Sequence, residues 1–372
     1  MKYKLKDIGK ITTGKTPSKS IKNAFGGNMN FLTPTDFNGK RYSDSTVRSL
    51  SDNGVEAVSN YVVKYPSISV TCIGSDMGKT ILNRTNIVSN QQINSISEII
   101  DDINPKYLYY LLTAKRKYLH FLGSGQGSTM PILNKRDFGN IEFFFPEKEQ
   151  QDSIVKILDV LDKKIELNKA INDNLMKLNT LLFQQLSVDS DYTLSNFTDC
   201  QNGFAFKSSE YITNNELLIL RTLNMTSDHL FSKNGVKYIS KVYKEKYQKF
   251  EFKKFDTTLV MVGASIGKMA LITTNVIPSL QNQNMWRFRS KSKMPGLLIY
   301  DMVQYVNDRV RSSATGSARS FYRKKMFLNS KVPVISEKYY DVFLAIQEKI
   351  NNIANENETL SNLKNVLLSK YF

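Results

Sequence analysis

Cysteine and histidine are scarce: Cys72, Cys200, His120 and His229 are all there are in 372 residues. They lie far apart, with no CxxC pair, so nothing offers the four close ligands of a structural zinc site, and no metal is expected. Nor is there a cysteine–histidine setting for nucleophilic catalysis. Two unpaired thiols suit a reducing compartment, and a cytoplasmic location is expected. No stretch approaches the roughly 18 uncharged apolar residues of a membrane span, so no membrane association is expected. The opening Met1-Lys2-Tyr3-Lys4-Leu5-Lys6-Asp7 lacks the apolar core of a signal peptide. Acidic residues are also in short supply. The 34 Asp and Glu face 51 Lys and Arg, for a formal net charge of +17. Such an excess points to polyanionic partners, nucleic acid first. With 41% hydrophobic residues the chain is globular rather than disordered, and long enough for two or more cores.

An internal repeat organises what is present. Leu5 matches Leu194 and Gly14 matches Gly203, an offset of 189. Gly74-Ser75-Asp76-Met77-Gly78-Lys79 matches Gly263-Ala264-Ser265-Ile266-Gly267-Lys268, Gly127-Ser128 matches Gly316-Ser317, and Phe183 matches Phe372. One small slip places Ser89, Gln91 and Asn94 against Ser279, Gln281 and Asn284.

Each repeat has two parts. Residues 1–146 and 191–335 read as mixed α/β, with short β-rich runs broken by glycine and asparagine turns. Residues 147–190 and 336–372 read as long helices without internal proline or glycine. Their apolar residues step by three and four: Ile154, Leu158, Leu161, Ile165, Leu175 and Leu182 in the first, Ile346, Ile350, Ile353, Leu360 and Leu367 in the second. So narrow a seam asks for a partner helix, and the other copy is the natural one. Asn168, Asn172, Asn179 and Asn357 enter the same seam, where buried amides fix register at a cost in stability. The expected fold is α+β: two repeated mixed α/β domains separated by two long helices that pair as an antiparallel coiled coil, with a pseudo-twofold internal repeat. Helices of roughly 38 residues would each span about 57 Å. Two basic domains held apart by such a rod would suit two DNA half-sites about one turn, ~10 base pairs, apart.

Several motifs bear on chemistry. Gly9 to Thr16 fits GxxxxGK(S/T), but the polar Lys2–Asp7 before it and Pro17-Ser18-Lys19-Ser20 after it deny it the strand and helix of a nucleotide site. Gly74 to Thr80 reads as a glycine turn after a strand; Lys79 and Lys268 are candidates for DNA phosphates, and a purely structural turn is the other reading. Asn104-Pro105-Lys106-Tyr107 is similar to the Asn-Pro-Pro-Tyr/Phe motif of adenine methyltransferases, but its third position differs and no glycine-rich cofactor loop accompanies it. Lys237 to Asp256 interleaves lysines with six aromatic residues. The rings read as core and the lysines as phosphate contacts. Arg323 and Lys324, with Ser317 and Arg319, form a basic glycine-serine tract whose counterpart holds Gln126, Ser128, Lys135 and Arg136; both are candidates for DNA contact. Gln91, Gln92, Asn94 and Gln281–Asn284 have the amides that read adenine. Being common to both copies, they fit scaffold better, and base readers belong where the copies differ.

This constellation resembles the specificity subunits of type I restriction-modification systems. The resemblance rests on Leu5-Lys6-Asp7-Ile8 leading to Gly14-Lys15-Thr16-Pro17-Ser18, on Gly125-Gln126-Gly127-Ser128 through Pro131-Ile132-Leu133, and on Phe145-Pro146, Glu149-Gln150 and Ile154 opening a helix that ends Leu181-Leu182-Phe183. It covers essentially the whole chain. The second copy departs from it, with Val332-Pro333-Val334 in place of Phe-Phe-Pro and no Glu-Gln pair opening its helix. The resemblance implies two target-recognition domains, a bipartite double-stranded DNA target with a spacer set by the helices, and no catalytic site in this chain. It implies two modification (methyltransferase) subunits that use S-adenosylmethionine, and restriction (endonuclease/translocase) subunits that consume ATP with magnesium. Lys163, Lys164, Glu166, Lys169 and Lys177 are candidate partner contacts on the helix. The alternative is a standalone paired-domain DNA regulator or RNA binder.

Overall fold

The computed structural model describes residues 1–125, 131–213, 216–313 and 322–372. They form two compact units: Met1–Asp162 with Asn362–Phe372, and Lys163–Ser361.

In the first unit, Ser67–Thr71 alternates hydroxyl and aliphatic side chains and is buried on both faces. It is an inner strand of a four-stranded antiparallel sheet in the order Lys10–Thr13, Ile93–Ser97, Ser67–Thr71, Thr80–Asn83. Ile68, Val70 and Ile96 join Leu108 and Leu112 of the helix Pro105–Ala114 in one core. Across the sheet the buried hydroxyls satisfy one another: Ser69 and Ser95 lie 2.7 Å apart, and Asn83 donates to Ser67 and Ser69. A second sheet orders Arg48–Leu50, Phe25–Leu32 and Ile87–Ser89, the last two strands parallel.

The second unit repeats this plan. Its four-stranded sheet runs Thr198–Asn202, Met285–Ser290, Thr257–Val260, Met269–Leu271. Its three-stranded sheet runs Lys237–Ile239, Leu217–Leu220, Ser279–Gln281, again with the last pair parallel. Strand order and sense therefore agree strand for strand, and the offset of 189 reflects a duplicated fold.

Two long helices follow the sheet regions, Lys148–Leu186 and Tyr340–Tyr371, and they pair antiparallel. In the first unit Lys364 donates to Asp162 at 2.6 Å, and Leu368 shares a core with Ile154, Val155 and Leu158. In the second unit Lys164 pairs with Glu356 at 3.3 Å, and Asn168 donates to Glu356 and Asn357. Farther along, Met176 and Phe183 share a core with Ile346, Ile350 and Ala354.

The buried stripe differs in part from the expected seam. Ile154, Leu158, Ile346, Ile350 and Ile353 are buried, whereas Leu161, Ile165, Leu175, Leu182, Leu360 and Leu367 are half-buried flanks. The stripe instead passes through Gln151, Val155, Leu158, Asp162, Asn168, Asn172, Met176, Asn179 and Phe183. The reason is packing against more than one helix. Gln151 accepts from Asn104 N–H at the start of the helix Pro105–Ala114, and Asn179 bonds Asp301 on the helix Gly296–Ser313.

Three buried acids follow from this arrangement. In the first unit Arg41 donates to Asp159 at 2.6 Å, Lys106 reaches Asp159 at 3.0 Å, and Tyr110 donates to Asp162 at 2.8 Å. Burial and the neighbouring Asp162 carboxylate push the Tyr110 phenol up. In the second unit burial pushes the Asp301 carboxyl up to about 7, against the opposing hydrogen bonds from Thr180 and Asn179.

Arg41→Met should cost about 3 kcal/mol, because it strands buried carboxylates. The double change with Asp159→Leu should cost less than the single one, by urea denaturation. For Asp301, the folded carboxyl holds its proton above the unfolded value of 3.8, so its protonation favours folding at low pH. That stability is lost as pH rises toward about 7, with a slope of at most about 1.4 kcal/mol per pH unit. Asp301→Asn should flatten the urea midpoint across that window.

Candidate nucleic-acid interface

An open groove in the first unit collects four cations: Lys6, Lys10, Lys135 and Arg136 line it with Gly9, Ile11, Gly139 and Asn140. Two short helices make it. Leu5–Ile8 is anchored by the fully buried Leu5 and Ile8, and Lys135–Asn140 by the fully buried Phe138. Asn134 caps the second helix by accepting from Asp137 N–H at 2.9 Å. Gly139 lets them approach, since a Cβ there would lie 3.0 Å from Ile11. Lys135 and Arg136 are exposed, and Lys10 lies 3.5 Å from Glu98. The equivalent helix of the second unit is Lys324–Leu328, anchored by Phe327. Arg323 is exposed, whereas Lys324 donates to the Cys200 carbonyl at 2.7 Å and to Asn202. Gln126, Ser128, Ser317 and Arg319 lie outside the described residues.

Other sequence candidates have internal employment. Lys79 pairs with Asp76 at 2.8 Å, and Lys268 donates to the Met225 carbonyl at 2.7 Å. Asn94 is buried, accepting from Thr13 and donating to Leu133, and Gln281 donates to Gln201 and Met285. These amides are scaffold. Asn104 caps its helix through Lys106 and Tyr107 N–H, and Tyr107 stacks with Phe145 and Phe372 in the core, so this motif serves packing. The Gly9 to Thr16 run is built as the strand Lys10–Thr13, followed by Gly14 pressed against the Ser89 and Asn90 carbonyls. A phosphate loop needs strand, loop and helix, and that order is not met.

In the Lys237 to Asp256 tract, Tyr247 and Phe252 are buried, Phe250 packs on Phe204, and Tyr243 packs on Tyr247. Lys237, Lys241, Lys244, Lys246, Lys249 and Lys253 stand exposed around them. The three-stranded sheet of the first unit carries a comparable patch that sequence reasoning missed. Arg48 sits 3.7 Å over the Phe25 ring and Lys15 5.1 Å over Tyr61. Its cations come from scattered positions, so no local run of sequence announces it. The aromatic rings hold the cations in place while leaving their charge available. Both thiols are pushed up to about 12 by burial, Cys72 and Cys200 alike, so they are poor nucleophiles.

Residues 1–177 match the family model described as the type I restriction modification DNA specificity domain. That stretch, a little under half of the chain, is thus similar to the type I restriction-modification specificity subunits. The chain is 28% identical over 216 residues to the type I restriction enzyme MjaIX specificity subunit of Methanocaldococcus jannaschii, covering 58% of this chain and 46% of that protein. It is 27% identical over 310 residues to the MjaVIII specificity subunit of the same organism, covering 76% and 71%. The chain thus spans about half the length of the first of these relatives. The crystal structure of the type I restriction-modification system S subunit from M. genitalium superposes with a TM-score of 0.52 at 15% identity, over 100% of this chain and 96% of that one. That likeness fixes the fold and leaves the residues to be argued from their own surroundings.

Proposed function

We propose that the chain is the DNA-recognition subunit of a type I restriction-modification complex, reading a bipartite duplex target with one half-site per unit. The observation that carries this reading is the duplicated sheet plan, with exposed cations on each copy. The Lys135 and Arg136 groove and the Arg323 position supply phosphate contacts. The cation-bearing aromatic patches, which differ between copies, are where base selection belongs. The chain binds and positions, and chemistry resides elsewhere: S-adenosylmethionine in two modification subunits, ATP and magnesium in restriction subunits. This fits a complex acting on DNA in the cytoplasm. Among the described residues, no helix is long and apolar enough to cross a membrane. A standalone regulator or RNA binder is less well supported, because the central helix presents a surface made for company.

That surface is an apolar stripe on Lys148–Leu186. Ile157, Val160, Leu167, Ile171, Leu178 and Leu181 recur at steps of three, four or seven residues, with Val160 60% and Leu181 61% exposed. Leu167, Leu178 and Ile157 are exposed as well. A second seam on the outer side of an already paired helix suits another helix. It supports a modification subunit docking by apolar contact more than by Lys163, Lys164, Glu166, Lys169 and Lys177.

The test is duplex selection from a randomised library by the chain co-expressed with its genomically adjacent methyltransferase-like subunits. Two short motifs at fixed spacing are expected; a single ungapped motif, or none, would sink the two-half-site reading. In the same assay Lys135→Ala with Arg136→Ala should weaken binding on every sequence and lower the salt slope by about two. Separately, Leu167→Glu and Leu181→Glu should each abolish co-purification with the modification subunit while leaving the far-ultraviolet dichroism unchanged. Retained co-purification would remove the stripe as the docking face.

A further inference from the structure

The glycine turn occurs once per unit, built alike to the level of single hydrogen bonds. In the first unit Gly78 N–H donates to the Thr71 carbonyl at 2.8 Å and Met77 N–H to Gly74 at 3.1 Å. In the second, Gly267 N–H donates to Val260 at 2.9 Å and Ile266 N–H to Gly263 at 3.1 Å. Both glycines of each pair have positive φ, between 82° and 94°, where only glycine sits without strain.

The same two cations accompany both turns. A lysine follows the second glycine, Lys79 or Lys268. An arginine lies over that glycine: a Cβ at Gly78 would be 2.9 Å from Arg116 Cγ, and one at Gly267 would be 3.1 Å from Arg311 Cδ and Nη1.

What differs is the anion. In the first unit Asp76 answers both cations, 2.8 Å from Lys79 and 3.7 Å from Arg116. The matching position of the second unit is Ser265, and no ion pair joins Arg311 to another described residue. Lys268 turns to a neutral acceptor, the Met225 carbonyl. Ser265, Gly267, Lys268 and Arg311 line one open pocket with His229 and Thr226. Asp308 also lines it, without pairing with Arg311. Burial lowers the Lys268 ammonium, and the Asp228 carboxylate opposes that only in part, a setting that a further anion would relieve.

We infer that the Gly263–Lys268 turn is an oxyanion site that takes a phosphate group through Ser265, Lys268 and Arg311, whereas in the first unit the Asp76 carboxylate fills the same place from within. The cations are matched, the backbone is matched, and a carboxylate on the turn itself is present in only one copy. That the phosphate belongs to a DNA backbone rests on the function proposed above; free phosphate presents the same chemistry.

The duplication supplies reciprocal variants for the full chain. Ser265→Asp installs the internal carboxylate, Arg311→Gln removes a cation without adding negative charge, and Asp76→Ser opens the first unit's site. In duplex titrations across salt concentrations, Ser265→Asp and Arg311→Gln should each weaken binding on every sequence and lower the slope of log K against log salt by about one. Asp76→Ser should raise that slope by about one. A second arm follows thermal unfolding in sodium phosphate against sodium chloride at matched ionic strength. Wild-type protein should gain Tm in phosphate, and Ser265→Asp and Arg311→Gln should not. A phosphate effect with unchanged duplex slopes, or in a chain that binds no duplex, assigns the site to free phosphate and separates it from the DNA reading. Wild-type slopes in both variants together with no phosphate effect on Tm overturn the site.

Discussion

The paired carboxylates Asp159 and Asp162 hold the first unit together. Each sits on the central helix with little contact with water, and each is answered by cations from other parts of the chain: Arg41 from the sheet region, Lys106 from the adjoining helix, Lys364 from the C-terminal helix. Charges so placed are costly unless every partner is present, which makes their geometry a specification rather than a source of stability. Three separated segments must arrive together before both acids are satisfied. The second unit meets the same demand with less charge. Asn351 accepts from Thr274, Gln347 accepts from Leu297 N–H, and burial pushes the carboxyl of the buried acid there, Asp301, up to about 7.

Duplication gives an internal control on what each residue is for. Where the copies agree, the shared residue can be architectural: the positive-φ glycines of the turn, and Phe138 and Phe327 under the short basic helices. Where they differ, the difference falls on charge and surface, as with Asp76 and Ser265 or the lysine-rich tract and the Arg48 patch. A fold kept constant by glycine and core residues leaves its surface free to be rewritten.

The repeat was legible in the sequence because glycines with positive φ and buried strand residues tolerate little change. The helices were legible from spacing, and so was the presence of Asn168, Asn172 and Asn179 in their seam. The exact stripe was not. Leu175 and Leu182 fit a two-helix seam, but a third element packs against the helix and rotates the buried face to Met176 and Phe183. The buried charges were illegible because Arg41, Asp159 and Asp162 look like any solvated charges until the tertiary fold closes over them. Lys79 shows the same limit on a smaller scale: its partner Asp76 is three residues away, yet nothing local says that the two will meet.

The outward apolar stripe of the central helix has a consequence beyond docking. A chain that leaves Val160, Leu167 and Leu181 in water carries a standing tendency to associate with whatever apolar surface is nearest, including other copies of itself. Its own folding does nothing to quench that tendency, since these side chains remain outside the finished core. On the docking proposed above, production is safest in step with the subunit that covers the stripe, at matched amounts and close by. On the same reading, an excess of orphan chains would be the species that precipitates or is degraded, so that stoichiometry sets how much of the chain survives.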